Sequence, residues 1–380
     1  MRVALVNGRI LSGERLVSNT TVLLDGGRIE ALLDPNDARC KSAQQVDLQG
    51  RMVVPGFIDV QVNGGGGVLF NDEPNVEGIR AIGAAHRRFG TTGFLPTLIS
   101  DDLDTIAQSI AAVQAAMDAK VPGVLGVHIE GPFLNWVRRG VHDPRHLRLL
   151  DESQLALLSS LRSGRTVLTL APEMTTPDMI AKLAARGVLL CAGHSDASYD
   201  ETMAAIAHGV RGFTHLFNAM ARLEPRAPGI VGAALYDAET WCGIIVDGHH
   251  VDPVMLKLAL RCKRRDRFML VTDAMPPVGS PEPSFILQGK TIRVIDGMCR
   301  DENGTLAGTA LDMASAVRNA VSMLDLDIAD AARMASEYPA QFLGLGGELG
   351  KIQAGYRANL VALDDELQVT RTWIDGIASN

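Results

Sequence analysis

Residues 187–218 read GVLLCAGHSDASYDETMAAIAHGVRGFTHLFN. An apolar, β-prone run (GVLLCAGHS, 187–195) gives way to a stretch with helical patterning (YDETMAAIAHGV, 199–210), and a second apolar run follows (RGFTHLFN, 211–218). Two strands joined through a helix pair side by side as parallel neighbours, because a tight hairpin cannot make that connection. Runs that are apolar throughout, rather than alternating, suit strands buried on both faces. The stretch is therefore a strand–helix–strand unit, and its strands run into His194 and His215.

The same style repeats on both sides. Six further runs are RMVVPGFIDV (51–60), TGFLPTL (92–98), GVLGVHIE (123–130), RTVLTLAP (165–172), CGIIVDG (242–248) and RFMLVTDA (267–274). Helical stretches at 76–90, 101–120, 152–163 and 252–262 fall between them. Eight such strands closing on themselves make an α/β fold of the (β/α)8 barrel type, for which about 250 residues suffice. The alternative, a doubly wound open sheet, lacks support: no G-x-G-x-x-G or G-x-x-x-x-G-K-[ST] turn follows the early strands.

Both chain ends read differently. Residues 1–50 and 352–378 alternate apolar and polar positions around turns such as Gly26-Gly27, as antiparallel hairpins do. The expected organisation is a small β-sandwich domain built from 1–50 and 350–380, with the catalytic barrel at 51–349. A β insert is expected near 285–299 (FILQGKTIRVIDGMC), and helices at 310–324 and 330–343 end the barrel region.

The 380-residue chain has a formal charge of -8 and an acidic pI near 5.6. It carries no basic stripe for nucleic acid and no stretch of about 18 apolar residues for a membrane. Five cysteines, none in a C-x-x-C pair, read as reduced packing thiols in a cytosol. With an N-terminus that forms no signal-type apolar core, the expectation is a cytoplasmic protein without nucleic-acid or membrane partners.

Barrel chemistry belongs where strands run into the loops that follow them. The third run ends in His128-Ile129-Glu130, the fifth in His194, the sixth in His215, the seventh in Asp247-Gly248-His249-His250 and the eighth in Thr272-Asp273. Glu130, His194 and His215 supply one carboxylate and two imidazoles, which leaves an open position on a four-coordinate ion as catalytic zinc requires. The same three could hold ferrous iron. Any one of them alone would more often be an ordinary hydrogen-bonded group; three at one barrel mouth make a site. Asp273 stands where a carboxylate can take a proton from water and return it to a leaving nitrogen. Its competing role is to cap the turn after it.

The motifs GFIDVQVNGG, HIEGPFLN, GHS, THLFNAM, RAPG, VDGHH, LVTDAM and DENGTLAGTALDM, in that order and nearly spanning the chain, resemble the N-acetylglucosamine-6-phosphate deacetylases of the amidohydrolase superfamily. The resemblance implies hydrolysis of the acetamide of N-acetyl-D-glucosamine 6-phosphate to glucosamine 6-phosphate and acetate, in amino-sugar catabolism or recycling. Carried over by motif, it implies one divalent metal per subunit, zinc first and ferrous iron second, on Glu130, His194 and His215. The resemblance further implies that a water activated by that metal would attack, with Asp273 as base and then acid and His142 polarising the carbonyl. Val141, His142, Asn218, Ala219, Arg226, His250, Leu306, Ala307 and Gly308 fall on substrate-contacting positions. Arg226 is expected to reach into the partner's site of a homodimer, where its planar fork suits phosphate.

The strand-one motif departs from the wider superfamily, where a histidine pair provides a second metal position. Here those places are Gln61 and Asn63, whose neutral amides compete poorly for zinc beside imidazole. They are expected to support the ligands by hydrogen bonds around a one-metal site, and His128 either to join them in that support or to pack. Rival readings are another amidohydrolase cutting a cyclic amide or an N-acyl amino acid, a non-haem iron oxygenase, and a metal-free scaffold on the same fold.

Overall fold

The computed structural model describes residues 2–379. Its largest sheet has eight strands, β1 (Phe57–Val62), β2 (Thr91–Ile99), β3 (Gly126–Glu130), β4 (Arg165–Leu170), β5 (Leu189–Ala192), β6 (Val210–Phe213), β7 (Trp241–Ile244) and β8 (Phe268–Leu270), bonded in that order. Pairing from β2 through β8 is parallel. A parallel bridge between Val62 and Ala274, beyond the end of β8, joins last strand to first. The sheet is the expected (β/α)8 barrel. β2 and β3 are buried at every position, which explains why their sequences show no alternation.

Helices follow the strands in turn, and side chains fix where they begin. Ser198 accepts from the Glu201 backbone N–H and Glu201 Oε2 accepts from the Ser198 N–H at 2.8 Å, a reciprocal cap that starts helix Tyr199–His208. Asp102, Thr176 and Asp252 cap their helices through single side-chain acceptors. Two helices, Pro177–Ala185 and Gly229–Tyr236, were not among the sequence expectations. The first carried its signal in Thr176-Pro177, a cap followed by proline at the first helical position. The second is apolar around most of its circumference and contains Gly229 and Gly232, so it shows little periodicity.

Two other expectations need correcting. The run 51–60 is two strands: Met52–Pro55 pairs with Leu360–Leu363 and Arg9–Ser12 in a different sheet, and β1 begins only after Gly56. Gly56 has no room for a side chain, since a Cβ would lie 2.2 Å from Thr92 Oγ1. The stretch 330–343 is likewise two helices, Ile328–Met334 and Glu337–Phe342. Pro339 lacks an N–H and would clash with the carbonyl four residues earlier, so one continuous helix cannot form there.

The chain divides into two compact units. One holds the segment ending at Asp59, His86–Gly93 and the segment beginning at Met313; the other holds Val60–Ala85 and Phe94–Asp312. In the first, a four-stranded sheet (Arg28–Leu33, Thr21–Asp25, Val3–Val6, Gln44–Asp47) and a six-stranded sheet including Arg9–Ser12, Met52–Pro55, Leu360–Leu363 and Val369–Ile374 share one core. Leu5, Val22 and Ile29 meet Ile10, Val53, Leu360 and Trp373 there. The end strands are not all antiparallel as their hairpin turns suggested: Val3–Val6 with Gln44–Asp47, and Arg9–Ser12 with Met52–Pro55, pair in parallel. In the second unit the insert forms a four-stranded antiparallel sheet, Ser284–Leu287, Lys290–Ile295, Met298–Arg300 and Leu306–Thr309. Among the described residues no helix is long and apolar enough to cross a membrane. Four of the five cysteines are buried, but Cys262 is exposed rather than packed.

Candidate functional site

The barrel ladder delivers the chemistry. Gly193 N–H donates to Leu170 O at 3.1 Å and Thr214 N–H to Ala192 O at 3.0 Å, so β5 and β6 keep strand pairing up to the residue before each histidine. The backbone then turns left-handed, with φ +48° at His194, +32° at His215 and +52° at Asp273. Such conformations cost roughly 1–3 kcal/mol each in non-glycine residues and gather at functional sites. Gly193 permits the approach beneath them, because a Cβ there would lie 2.9 Å from Thr169 Cγ2 and 3.1 Å from Thr214 Cβ.

Glu130 Oε1 lies 3.0 Å from His215 Nε2 and 3.2 Å from His194 Nε2, and the two Nε2 atoms are 3.0 Å apart. All three side chains are buried, with 2%, 6% and 4% exposure for Glu130, His194 and His215. His194 Nδ1–H donates to Arg138 O at 2.9 Å, which leaves its Nε2 lone pair facing the cluster. Burial opposes ionisation of Glu130, but the two imidazoles outweigh it and hold the carboxyl well below its ordinary range. His215 is driven the other way: burial lowers it, yet the Glu130 carboxylate overrides burial and raises it. His215 Nδ1 is buried without a hydrogen-bond partner among the described residues.

This donor set fits a divalent metal. Two imidazole nitrogens and a carboxylate oxygen converge on one point, and they form a potential ligand group within the described residues. For bonds of about 2.0–2.1 Å, tetrahedral ligands stand about 3.3 Å apart, close to the spacings seen here.

Asp273 shares the cavity. Asn63 Nδ2 donates to its Oδ1 at 2.7 Å, and Gln61 Nε2 stands 3.1 Å from that oxygen and from both oxygens of Glu130. Gln61 thus bridges Glu130 and Asp273 from β1, while Asn63, the residue after that strand, holds Asp273 alone. Burial, then the Glu130 charge, push Asp273 up to about 6. His128 sits deeper, outside the cavity lining, with Nδ1–H donating to Val60 O at 2.9 Å and Nε2 2.8 Å from Thr169 Oγ1. Burial pushes its imidazole down to about 4.

A cavity of about 390 Å³ opens over this group, lined by Val141, His142, Asn218, Ala219, His250, Leu306 and Gly308 among others. Ala307 is fully buried between Leu306 and Gly308 and does not reach the cavity. Asn218 N–H is turned to His215 O at 3.0 Å. Arg226 is exposed and lies outside the lining of this single chain. His142 Nδ1 accepts the Ser100 backbone N–H at 3.2 Å and has Ser100 Oγ at 2.7 Å, so the ring proton sits on Nε2. Burial, then His194, push His142 down to about 3 and keep it neutral. Asp247 Oδ2 accepts the His250 Nδ1–H at 2.6 Å, leaving His250 Nε2 to the cavity.

Sequence reasoning missed Ser100, Asp247 as the partner of His250, and Arg138, which lines the cavity and whose carbonyl orients His194. Asp247 alone had a signal, since D-x-x-H places the two side chains within one turn.

The amidohydrolase family's sequence model matches residues 52–378. The chain belongs to the amidohydrolase family. This amidohydrolase is 46% identical over 326 residues to an N-acetylgalactosamine-6-phosphate deacetylase of Shewanella, covering 85% of this chain and 82% of that protein. It is 34% identical over 379 residues to an N-acetylglucosamine-6-phosphate deacetylase of Haemophilus influenzae, covering 99% of each. In three dimensions it resembles the N-acetylglucosamine-6-phosphate deacetylase of Pasteurella multocida with a TM-score of 0.96 at 35% identity, over 100% of both chains.

Proposed function

We propose that this amidohydrolase removes the acetyl group from N-acetyl-D-glucosamine 6-phosphate, with Glu130, His194 and His215 holding one divalent metal, zinc before ferrous iron. The observation that carries the reading is a cluster of three potential ligands that shares one cavity with a half-buried carboxylate outside the cluster, Asp273. A metal held there would lower the pKa of water towards about 7 and polarise the acetyl carbonyl.

The protein's own groups do the rest. Asp273, anchored by Asn63 and Gln61, takes the proton from the attacking water and later gives it to the departing amine nitrogen. Because Ser100 occupies Nδ1, His142 presents Nε2–H as a donor to the oxygen on which negative charge grows. Asp247 fixes His250 with its Nε2 lone pair free to accept a sugar hydroxyl. The exposure of Arg226 in its own chain agrees with its serving the partner's phosphate site in a homodimer. The acidic composition fits a cytoplasmic enzyme of amino-sugar recycling.

The 46% identity to a deacetylase of the C4 epimer favours a second substrate, N-acetylgalactosamine 6-phosphate. Acetate release by metal-loaded protein, measured on both epimers and on each sugar without phosphate, tests all of this. Strong dependence on phosphate supports the reading. Equal or absent turnover on all four sugars returns the substrate to the wider amidohydrolase class.

A further inference from the structure

Glu173 lies just beyond β4, in the turn Pro172–Met174, and does not line the cavity. Its carboxylate nevertheless gathers donors from two different loops. Oε1 accepts Asn135 Nδ2–H at 2.9 Å and Asp196 N–H at 2.6 Å, while Oε2 accepts the Ser195 hydroxyl at 2.7 Å. Ser195 and Asp196 directly follow His194. Asn135 belongs to the loop after β3, and its N–H donates to the carbonyl of His194 at 2.9 Å.

Asn135 also reaches the imidazole by a second route. Its Oδ1 accepts Val137 N–H at 2.8 Å and Arg138 N–H at 3.3 Å, shaping the turn whose Arg138 carbonyl accepts the His194 Nδ1–H. Glu173 therefore secures both the left-handed backbone of His194 and the acceptor that sets its ring. Released from these contacts, a residue at φ +48° has every reason to relax.

We propose that Glu173 is a positioning residue for the metal centre, clamping the Asn135 turn to Ser195 and Asp196 so that His194 Nε2 points at the ion. The proposal rests on His194 being a ligand, as argued above, and not on the identity of the sugar. The three donors are uncharged, so hydrogen-bond acceptance, rather than negative charge, is what the clamp needs. Glutamine can supply it: its carbonyl replaces Oε1, and its NH2 meets a Ser195 hydroxyl free to rotate and accept.

The test is zinc affinity of the metal-stripped full chain, read by competition with a chromophoric chelator, with the cobalt(II) absorption spectrum and the thermal melt of the metal-free protein alongside. Glu173→Ala is expected to weaken zinc binding about 10–100-fold and to alter the cobalt spectrum, as losses of ligand-orienting partners do. Glu173→Gln is expected to stay within about threefold of the parent. If Glu173→Ala does not fold, Asn135→Ala cuts the same link and is expected to weaken zinc binding in the same direction. Parent-like zinc affinity in a folded Glu173→Ala or Asn135→Ala protein overturns the proposal, and so does a Glu173→Gln protein as weak as the alanine variant. No arm uses a sugar, so a wrong substrate assignment leaves the result intact.

Discussion

Asp273→Asn gives the sharpest test of the chemistry. The substitution is isosteric, and Asn Oδ1 can still accept from Asn63 Nδ2 and Gln61 Nε2, which stand 2.7 and 3.1 Å from Asp273 Oδ1. Folding and metal binding should therefore persist. What disappears is the only function an amide cannot copy, taking up and returning a proton. Burial and the Glu130 charge raise the Asp273 carboxyl to about 6, still below neutral pH, so it can serve as a base. General acid–base catalysis is worth about 10²- to 10⁴-fold per proton transfer, and this group serves two. A loss of about 10³- to 10⁵-fold in kcat follows, about 4–7 kcal/mol in activation free energy. The assay is acetate release beside metal analysis of the same preparation. Turnover within tenfold of the parent at equal metal content would refute the assignment. Loss of metal together with activity would refute the separation of base from ligands.

Other consequences can be measured on the same protein. Metal analysis of the active chain is expected to find one tightly held equivalent, since Gln61 and Asn63 stand where a second site would need imidazoles; two equivalents would contradict the one-metal reading. If Arg226 serves the neighbouring subunit, a mixture of Arg226→Ala and Asp273→Asn chains should recover activity that neither has alone, because one site in each mixed dimer is complete. For Asp247, burial raises the carboxyl, but the His250 ring N–H and two backbone N–H groups outweigh it and bring it down to about 2. A depressed carboxylate stabilises the fold above its unfolded value and loses that stabilisation as pH falls through its folded value. Asp247→Asn should therefore cost about 2 kcal/mol at neutral pH, with the difference in melting temperature closing between about pH 4 and pH 2. A pH-independent difference would contradict the pairing. Gly193→Ala should destabilise the protein by about 1–3 kcal/mol and weaken metal binding, because its methyl meets Thr169 and Thr214; an unchanged melt would show that β4 and β6 yield there.

The sequence by itself determined the barrel and most of its mouth. Strands buried on both faces have to be apolar throughout, so runs such as TGFLPTL and GVLGVHIE announced themselves. A charged or imidazole residue at the end of such a run, as with Glu130, His194, His215 and Asp273, is too costly there without a purpose. What the sequence could not carry is any contact set by tertiary approach. Nothing in RMVVPGFIDV states that Met52–Pro55 pairs with Leu360–Leu363, some three hundred residues away, while Phe57–Val62 enters the barrel. The tautomer of His142 depends on the Ser100 amide, the aim of His194 on a carbonyl at Arg138, and the frame of both loops on Glu173. Residue type and spacing specify which groups are present; hydrogen-bond direction depends on where distant backbones come to rest, and only the folded chain decides that.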